Sequence, residues 1–283
     1  MKLLAVVLGL ASFGWAGGAD FDQARKLYNS TDFEGSLKLL QAIPNKDAGD
    51  WALMGRNYYM QSDFKKATEV LEKAVAIAPE NSEYQLWLGR AFGRRAETSS
   101  PFTAPGYASK ARQSFEKAVR LNPRSIEAMS DLFEYYLEAP GFLGGGLDKA
   151  AALAEKLSKV DAAEGYQAQA KLLEKRKEYA SAEEHLRRAV ELAPHQVGRL
   201  IDLAHFLAKQ GRYQEVDQSF ARAEAIAPNS PKLMYAEADC YIKSKRNLNV
   251  ARELLKRYMN STLTPDDPPK SEAAKLLKQV QGS

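Results

Sequence analysis

Few groups in this chain are spaced so that they could do chemistry together. Its three histidines, His185, His195 and His205, fall ten residues apart. A helical metal site needs two ligands on one face, as in His-x-x-x-His, and a ten-residue step through two helices and a loop does not supply that. Metal binding is not expected. Cys240 is the one cysteine, so no intramolecular disulfide can form, and a small buried side chain is its expected role. Residues 139–149, APGFLGGGLDK, have the glycines of a phosphate loop but lack its Gly-Lys-Ser/Thr ending and a preceding buried strand. Asp148 would also repel an anion there, so the stretch reads as a flexible loop. No nucleophile, base and orienting group recur at local spacing, and no catalytic residue or cofactor is assigned. What remains is a set of bases and aromatics: Arg56 with Tyr59, Arg90 with Arg94, then Phe133, Tyr136, Lys171 and His205.

The elements that would position this set are helices. Trp51, Met54, Gly55 and Tyr58 cluster on one face at about 100° per residue, and Phe64, Ala67, Leu71 and Ala74 do the same one helix later. Gln61-Ser62-Asp63 turns the chain between them and Pro79 ends the unit. The unit recurs: LEKAVAIAP, FEKAVRLNP, LRRAVELAP and FARAEAIAP close four copies, and Pro194 to Pro228 spans 34 residues. Self-similarity at such a period signals a stacked array. The copies run 20–47 (degenerate), 48–81, 82–124, 125–162, 163–196, 197–231 and a looser 232–264. The third carries about ten extra residues within 93–107 and the fourth about six within 139–149; both are expected to be irregular loops. Residues 265–283 form a proline-rich linker and one more amphipathic helix, with Ser271 as its expected N-cap.

This pattern resembles the tetratricopeptide repeat (TPR) signature over nearly all of residues 20–264. The resemblance implies an all-α, right-handed superhelical TPR solenoid of about six to seven helix pairs, closed by a C-terminal capping helix. It also implies that the first helix of each pair lines a concave groove. In a frame where Trp51 is position 4, mid-helix position 9 holds Arg56, Arg90, Phe133, Lys171, His205 and Cys240, and Arg94 lies one turn further on. With Tyr59 and Tyr136 these would make a basic, aromatic groove suited to an acidic or C-terminal-carboxylate peptide. The dicarboxylate clamp of chaperone-binding TPR proteins is not reproduced, since Ala52 and Arg56 stand where Lys and Asn are required.

Composition narrows the class further. The chain is 45% hydrophobic and 27% charged, as folded proteins are, and its net charge of +4 is too mild to point to nucleic acid. Residues 1–19 run from Lys2 through an apolar Leu3–Ala16 stretch to small residues, the layout of a secretory signal peptide cleaved after Ala16 or Ala19. The stretch falls short of the roughly 20 residues that span a bilayer. The expectation is an exported, periplasmic or secreted, non-enzymatic scaffold that binds a protein or peptide. An enzymatic reading would gain if the two insertions met at one pocket with titratable groups, and a structural spacer would show a featureless groove.

Overall fold

The computed structural model describes residues 16–280. Residues 1–15, most of the expected signal segment, lie outside the described residues, as do 281–283. Fifteen α-helices follow one another: α1 Ala16–Asn29, α2 Phe33–Ala42, α3 Ala48–Met60, α4 Phe64–Ile77, α5 Ser82–Glu97, α6 Ala104–Leu121, α7 Ile126–Glu138, α8 Leu147–Val160, α9 Ala162–Lys175, α10 Tyr179–Leu192, α11 Val197–Lys209, α12 Tyr213–Ile226, α13 Pro231–Lys243, α14 Leu248–Met259 and α15 Lys270–Val280. They pack as seven consecutive pairs, α1·α2 to α13·α14, with α15 trailing, and there is no strand among the described residues. This is an all-α solenoid with a capping helix.

Local rules place the turns. Within five pairs the chain reverses through a residue of positive φ: Thr31, Ser62, Lys177, Gly211 and Lys245. Asp32 and Asp63 follow the first two and cap α2 and α4 by accepting from the amides of Gly35 and Lys66. Between pairs, Ala78, Asn122, Ala193 and Ala227 each precede a proline and have φ between −128° and −139°. The proline ring disfavours the α conformation in the residue before it, so each second helix ends there.

Small residues let the paired helices close up. A Cβ on Gly55 would run into the side chain of Leu71, and one on Gly89 would come within 2.6 Å of the Phe115 ring. On the second helices Ala67, Ala111, Ala182 and Ala223 have no exposed surface. At the C-terminal end, Ala273 and Val280 of α15 cover Met234, Tyr241, Leu255 and Tyr258. The Tyr258 hydroxyl donates to the Pro268 carbonyl and pins the linker. Ser271 sits inside the first turn of α15 and is not its N-cap, because the helix already begins at Lys270.

The two insertions are more ordered than expected. α5 runs on to Glu97 and α6 starts at Ala104, so only residues 98–103 of the 93–107 stretch are non-helical. The amphipathic pattern continues through Arg94-Arg95-Ala96, and no residue there stops a helix. The 139–149 stretch is a 3-10 turn, Gly141–Leu143, then the glycine triplet 144–146 and the first residues of α8.

Candidate functional site

The first helices α3, α5, α7, α9, α11 and α13 stand side by side and pair across the repeats. Glu134–Lys171 and Glu138–Lys175 link α7 to α9 at a constant offset of 37 residues. Glu164–Arg199, Gln167–Asp202 and Glu174–Lys209 link α9 to α11 at an offset of 35. Constant offsets mean these helices run parallel and in register, so equivalent positions form rows along one face.

Along that face lie three adjoining depressions. The first, 540 Å³, is lined by Tyr59 of α3, by Arg90, Arg94 and Ala96 of α5, by Asp131 and Tyr135 of α7, and by Pro140 and Leu143 of the second insertion. Its wall also includes Phe115 and Ala108 of α6, and it is mainly apolar. The second, 430 Å³, shares Glu134 and Glu138 with the first and continues over Gln167, Lys171, Asp202 and His205. The third, 370 Å³, shares His205 and Lys209 with the second and reaches Asp239 and Lys243 on α13. Shared walls make them one groove.

The residues singled out from sequence divide into two groups. Arg56, Tyr59, Arg90, Arg94, Lys171 and His205 stand on the first-helix face. Arg56 pairs with Glu83 and lies 5.0 Å from the Trp87 ring centroid, and Arg90 lies 4.9 Å from the same ring on the neighbouring helix position. Tyr59 meets the Trp87 ring edge-on at 5.5 Å, and its burial pushes its hydroxyl pKa up. Arg90 donates from Nε to Asp131 at 2.5 Å and from Nη2 to Glu127 at 2.9 Å. Arg94 pairs with Glu97 and lies over the Phe64 ring. Lys171 pairs with Glu134. His205 stands 3.4 Å from the Ala236 carbonyl, edge-on to Phe220. Arg56, Arg90, Arg94 and Lys171 thus each have a carboxylate partner, and the wall carries both signs of charge rather than a free basic stripe.

Phe133 and Tyr136 do not line the groove. Phe133 is 2% exposed and belongs to the core, and the Tyr136 hydroxyl donates 2.9 Å to Glu116 on α6 with Lys149 over its ring. The physical reason is a one-residue slip. α7 begins at Ile126, not 125, and one residue turns a side chain by about 100°. Glu134 and Tyr135 therefore take the groove positions, with the Tyr135 hydroxyl donating 2.9 Å to the Leu143 carbonyl. α13 begins at Pro231, one residue before the 232 frame, and brings Asp239 to the groove beside Cys240, which is 4% exposed and whose thiol pKa burial pushes up to about 11. Sequence reasoning also missed Trp87 and Asp131. Their signal was spacing, since Trp87 precedes Arg90 by one helical turn.

Both insertions do meet at the first depression, beside Arg90, Asp131, Glu97 and Glu138. Burial pushes the Asp131 carboxyl pKa up, and the Arg90 guanidinium opposes that shift. Asp131 is thus held by an ion pair, and no Ser, Thr, Cys, His or Lys is among the residues lining this depression. Asp202, beside the Gln167 amide, is likewise pushed up by burial. Among the described residues no three His, Cys, Asp or Glu side chains are grouped to hold a metal ion. This arrangement offers an apolar recess ringed by fixed hydrogen-bonding groups, which suits recognition more than bond making. Arg56 Nε is buried and without an acceptor among the described residues, and Arg56 lines none of the three depressions.

Seven consecutive helix pairs whose first helices line one groove match a TPR-type α-solenoid. Residues 163–196, the α9·α10 pair, match the tetratricopeptide repeat family model. Among solved structures, a thermophilic TPR protein of Thermus thermophilus is similar at 20% identity and a TM-score of 0.55, covering 68% of this chain and 99% of its own. A tetratricopeptide repeat protein from Parabacteroides merdae is similar at 13% identity and a TM-score of 0.59, covering 94% and 99%. The APC/C hetero-tetramer Cut9–Hcn1 is similar at 14% identity and a TM-score of 0.52, covering 95% of this chain and 49% of that one. No curated protein matches the sequence.

Proposed function

We propose that this chain is a protein-interaction scaffold that takes an extended peptide segment along the α5–α13 groove and seats an apolar side chain of it in the α5/α7 recess. The observation that carries the reading is the continuity of the three depressions, which places one apolar recess at the end of a polar channel. Lys171, Arg90 and Arg94 are already matched by carboxylates, so acidic residues in the ligand would have to displace Glu134, Asp131 or Glu97. An apolar anchor seated in the recess needs no such exchange, and the sequence-based preference for acidic ligands becomes secondary. The proposal includes export, supported by the Lys2, Leu3–Ala16 and small-residue layout. N-terminal sequencing of the protein from its native cells should find a chain starting at Gly17 or Asp20, and an unprocessed chain in the cytoplasm would contradict export.

The binding claim is tested by selecting peptides from a random library on the whole protein and counter-screening them on Gly93→Trp. Gly93 borders the recess with open space beside it, so the indole fills the recess without disturbing the core. Selected peptides should carry a bulky apolar residue and bind Gly93→Trp at least about tenfold more weakly, as loss of a buried anchor does. Peptides that bind both proteins equally would remove the recess from the reading.

A further inference from the structure

Both insertions end in a phenylalanine held out into solvent. Phe102 is 96% exposed and Phe142 is 83% exposed, more than any other large apolar side chain described. Neither is left out by looseness. The 98–103 turn is tied by the amides of Thr103 and Ala104 donating to the Ser100 carbonyl at 3.0 and 2.9 Å. The 141–146 turn is tied more tightly: Leu143 N–H donates to Pro140 at 2.9 Å, Gly144 N–H to Gly141 at 2.9 Å and Gly146 N–H to Tyr136 at 2.8 Å. Gly144 and Gly146 take φ of +88° and +150°, and Gly145 lies so close to the Ala139 carbonyl that no Cβ fits. The glycine triplet therefore builds a rigid turn that projects Phe142.

These two turns join first to second helices in adjacent pairs, so the parallel register of α5 and α7 puts them on one edge of the solenoid. The equivalent turns of the later pairs lie on the same edge: Arg176, Lys177 and Lys245 are exposed there without an ion-pair partner among the described residues, beside one exposed acid, Glu178, while Arg212 is paired with Glu183 and Glu215. The opposite edge gathers Glu80, Glu83 and Glu127. We propose that the first-to-second-helix edge docks on an anionic lipid surface, with Phe102 and Phe142 entering the headgroup boundary and the basic turns resting on the lipid charge. Isolated, protruding aromatics flanked by lysine and arginine match such a boundary, where apolar insertion and electrostatic attraction add. No helix among the described residues is long and apolar enough to cross a membrane, so the contact is peripheral. It leaves the groove open for a peptide, and its success or failure is separate from that of the groove.

The test is co-sedimentation of the full chain with phosphatidylcholine vesicles, with and without phosphatidylglycerol, for the wild type, Phe102→Ser/Phe142→Ser and Lys177→Glu/Lys245→Glu. Both phenylalanines are outside the core, so the serine variant should unfold at the wild-type temperature. It should lose about tenfold or more of its partition onto anionic vesicles, while the charge-reversed variant loses binding that salt also removes. Because residues 3–16 are apolar and common to all the proteins, the difference between them decides. Phe142→Trp supplies a local reading: its emission should shift to the blue on vesicle addition. Equal partition of wild type and serine variant, or no shift for Phe142→Trp, would overturn the proposal and leave the two phenylalanines to a protein partner.

Discussion

Gly89 and Gly93 lie one turn apart on α5, and replacing each by alanine should move stability in opposite directions. A Cβ at Gly89 would come within 2.6 Å of two carbons of the Phe115 ring, which is 7% exposed and walled in by the core. Such overpacking costs about 1–3 kcal/mol. A Cβ at Gly93 meets nothing within 4 Å. Alanine also gains about 1 kcal/mol over glycine in a helix interior, and this gain is common to both sites. Gly93→Ala should therefore be stabilised by about 0.5–1 kcal/mol, and Gly89→Ala should range from neutral to about 2 kcal/mol destabilised. Their difference, about 1–3 kcal/mol, isolates the α5–α6 approach because the propensity and unfolded-state contributions cancel. Urea unfolding followed by far-ultraviolet circular dichroism reads it directly. Equal midpoints for the two variants would show that α5 and α6 do not cross at Gly89, and the helix-pair frame would be misplaced.

Two further outcomes follow from the turns and the groove. Glu178 precedes α10 where Asp32 and Asp63 cap α2 and α4, yet it makes no cap hydrogen bond; Glu178→Asp should stabilise by about 0.5–1 kcal/mol in the same unfolding assay. Arg90→Met leaves Asp131 in the recess wall without its guanidinium and should cost about 2 kcal/mol at neutral pH. The sign of its pH dependence comes from Asp131, whose pKa burial raises and Arg90 lowers. A carboxyl whose pKa folding raises costs stability in full above its folded pKa, and that cost fades as pH falls on toward its unfolded value. Without Arg90 the rise is larger. The deficit of Arg90→Met should shrink as pH falls through the Asp131 titration, and a deficit independent of pH would mean that Asp131 is not the stranded charge.

The repeat was legible because the same packing problem is solved repeatedly by the same residue sizes. Gly55, Gly89, Ala170 and Ala204 stand at one frame position, and prolines punctuate the second helices. Where a proline precedes a first helix, it is the ruler that places the groove residues. Helices α5, α7, α11 and α13 all begin three residues after Pro79, Pro123, Pro194 and Pro228. Setting the fourth unit at 125 and the seventh at 232 departs from that count by one residue in opposite directions; on α7 this exchanges Glu134 for Phe133, and on α13 it passes over Asp239 for its neighbour Cys240. Core identity tolerates such a slip, since apolar neighbours abound on a helix that is buried on two sides. Groove identity does not. The insertions were misread for another reason: serine, proline and glycine marked a break, but nothing in residues 93–97 or 104–107 told where the flanking helices would stop. The ion pairs across repeats, such as Arg90–Asp131, join residues 41 positions apart and have no local signal.

The claim that a ligand lies along the first-helix face is tested most directly by site-specific photo-cross-linking. A photoreactive residue is placed in turn at Tyr135 in the recess, at His205 in the channel and at Ile77, an exposed position at the end of the second helix α4. With a peptide selected on the whole protein, the account predicts adducts from positions 135 and 205, in that order along the peptide, and none from 77. Adducts from position 77 with none from 135 and 205 would contradict it.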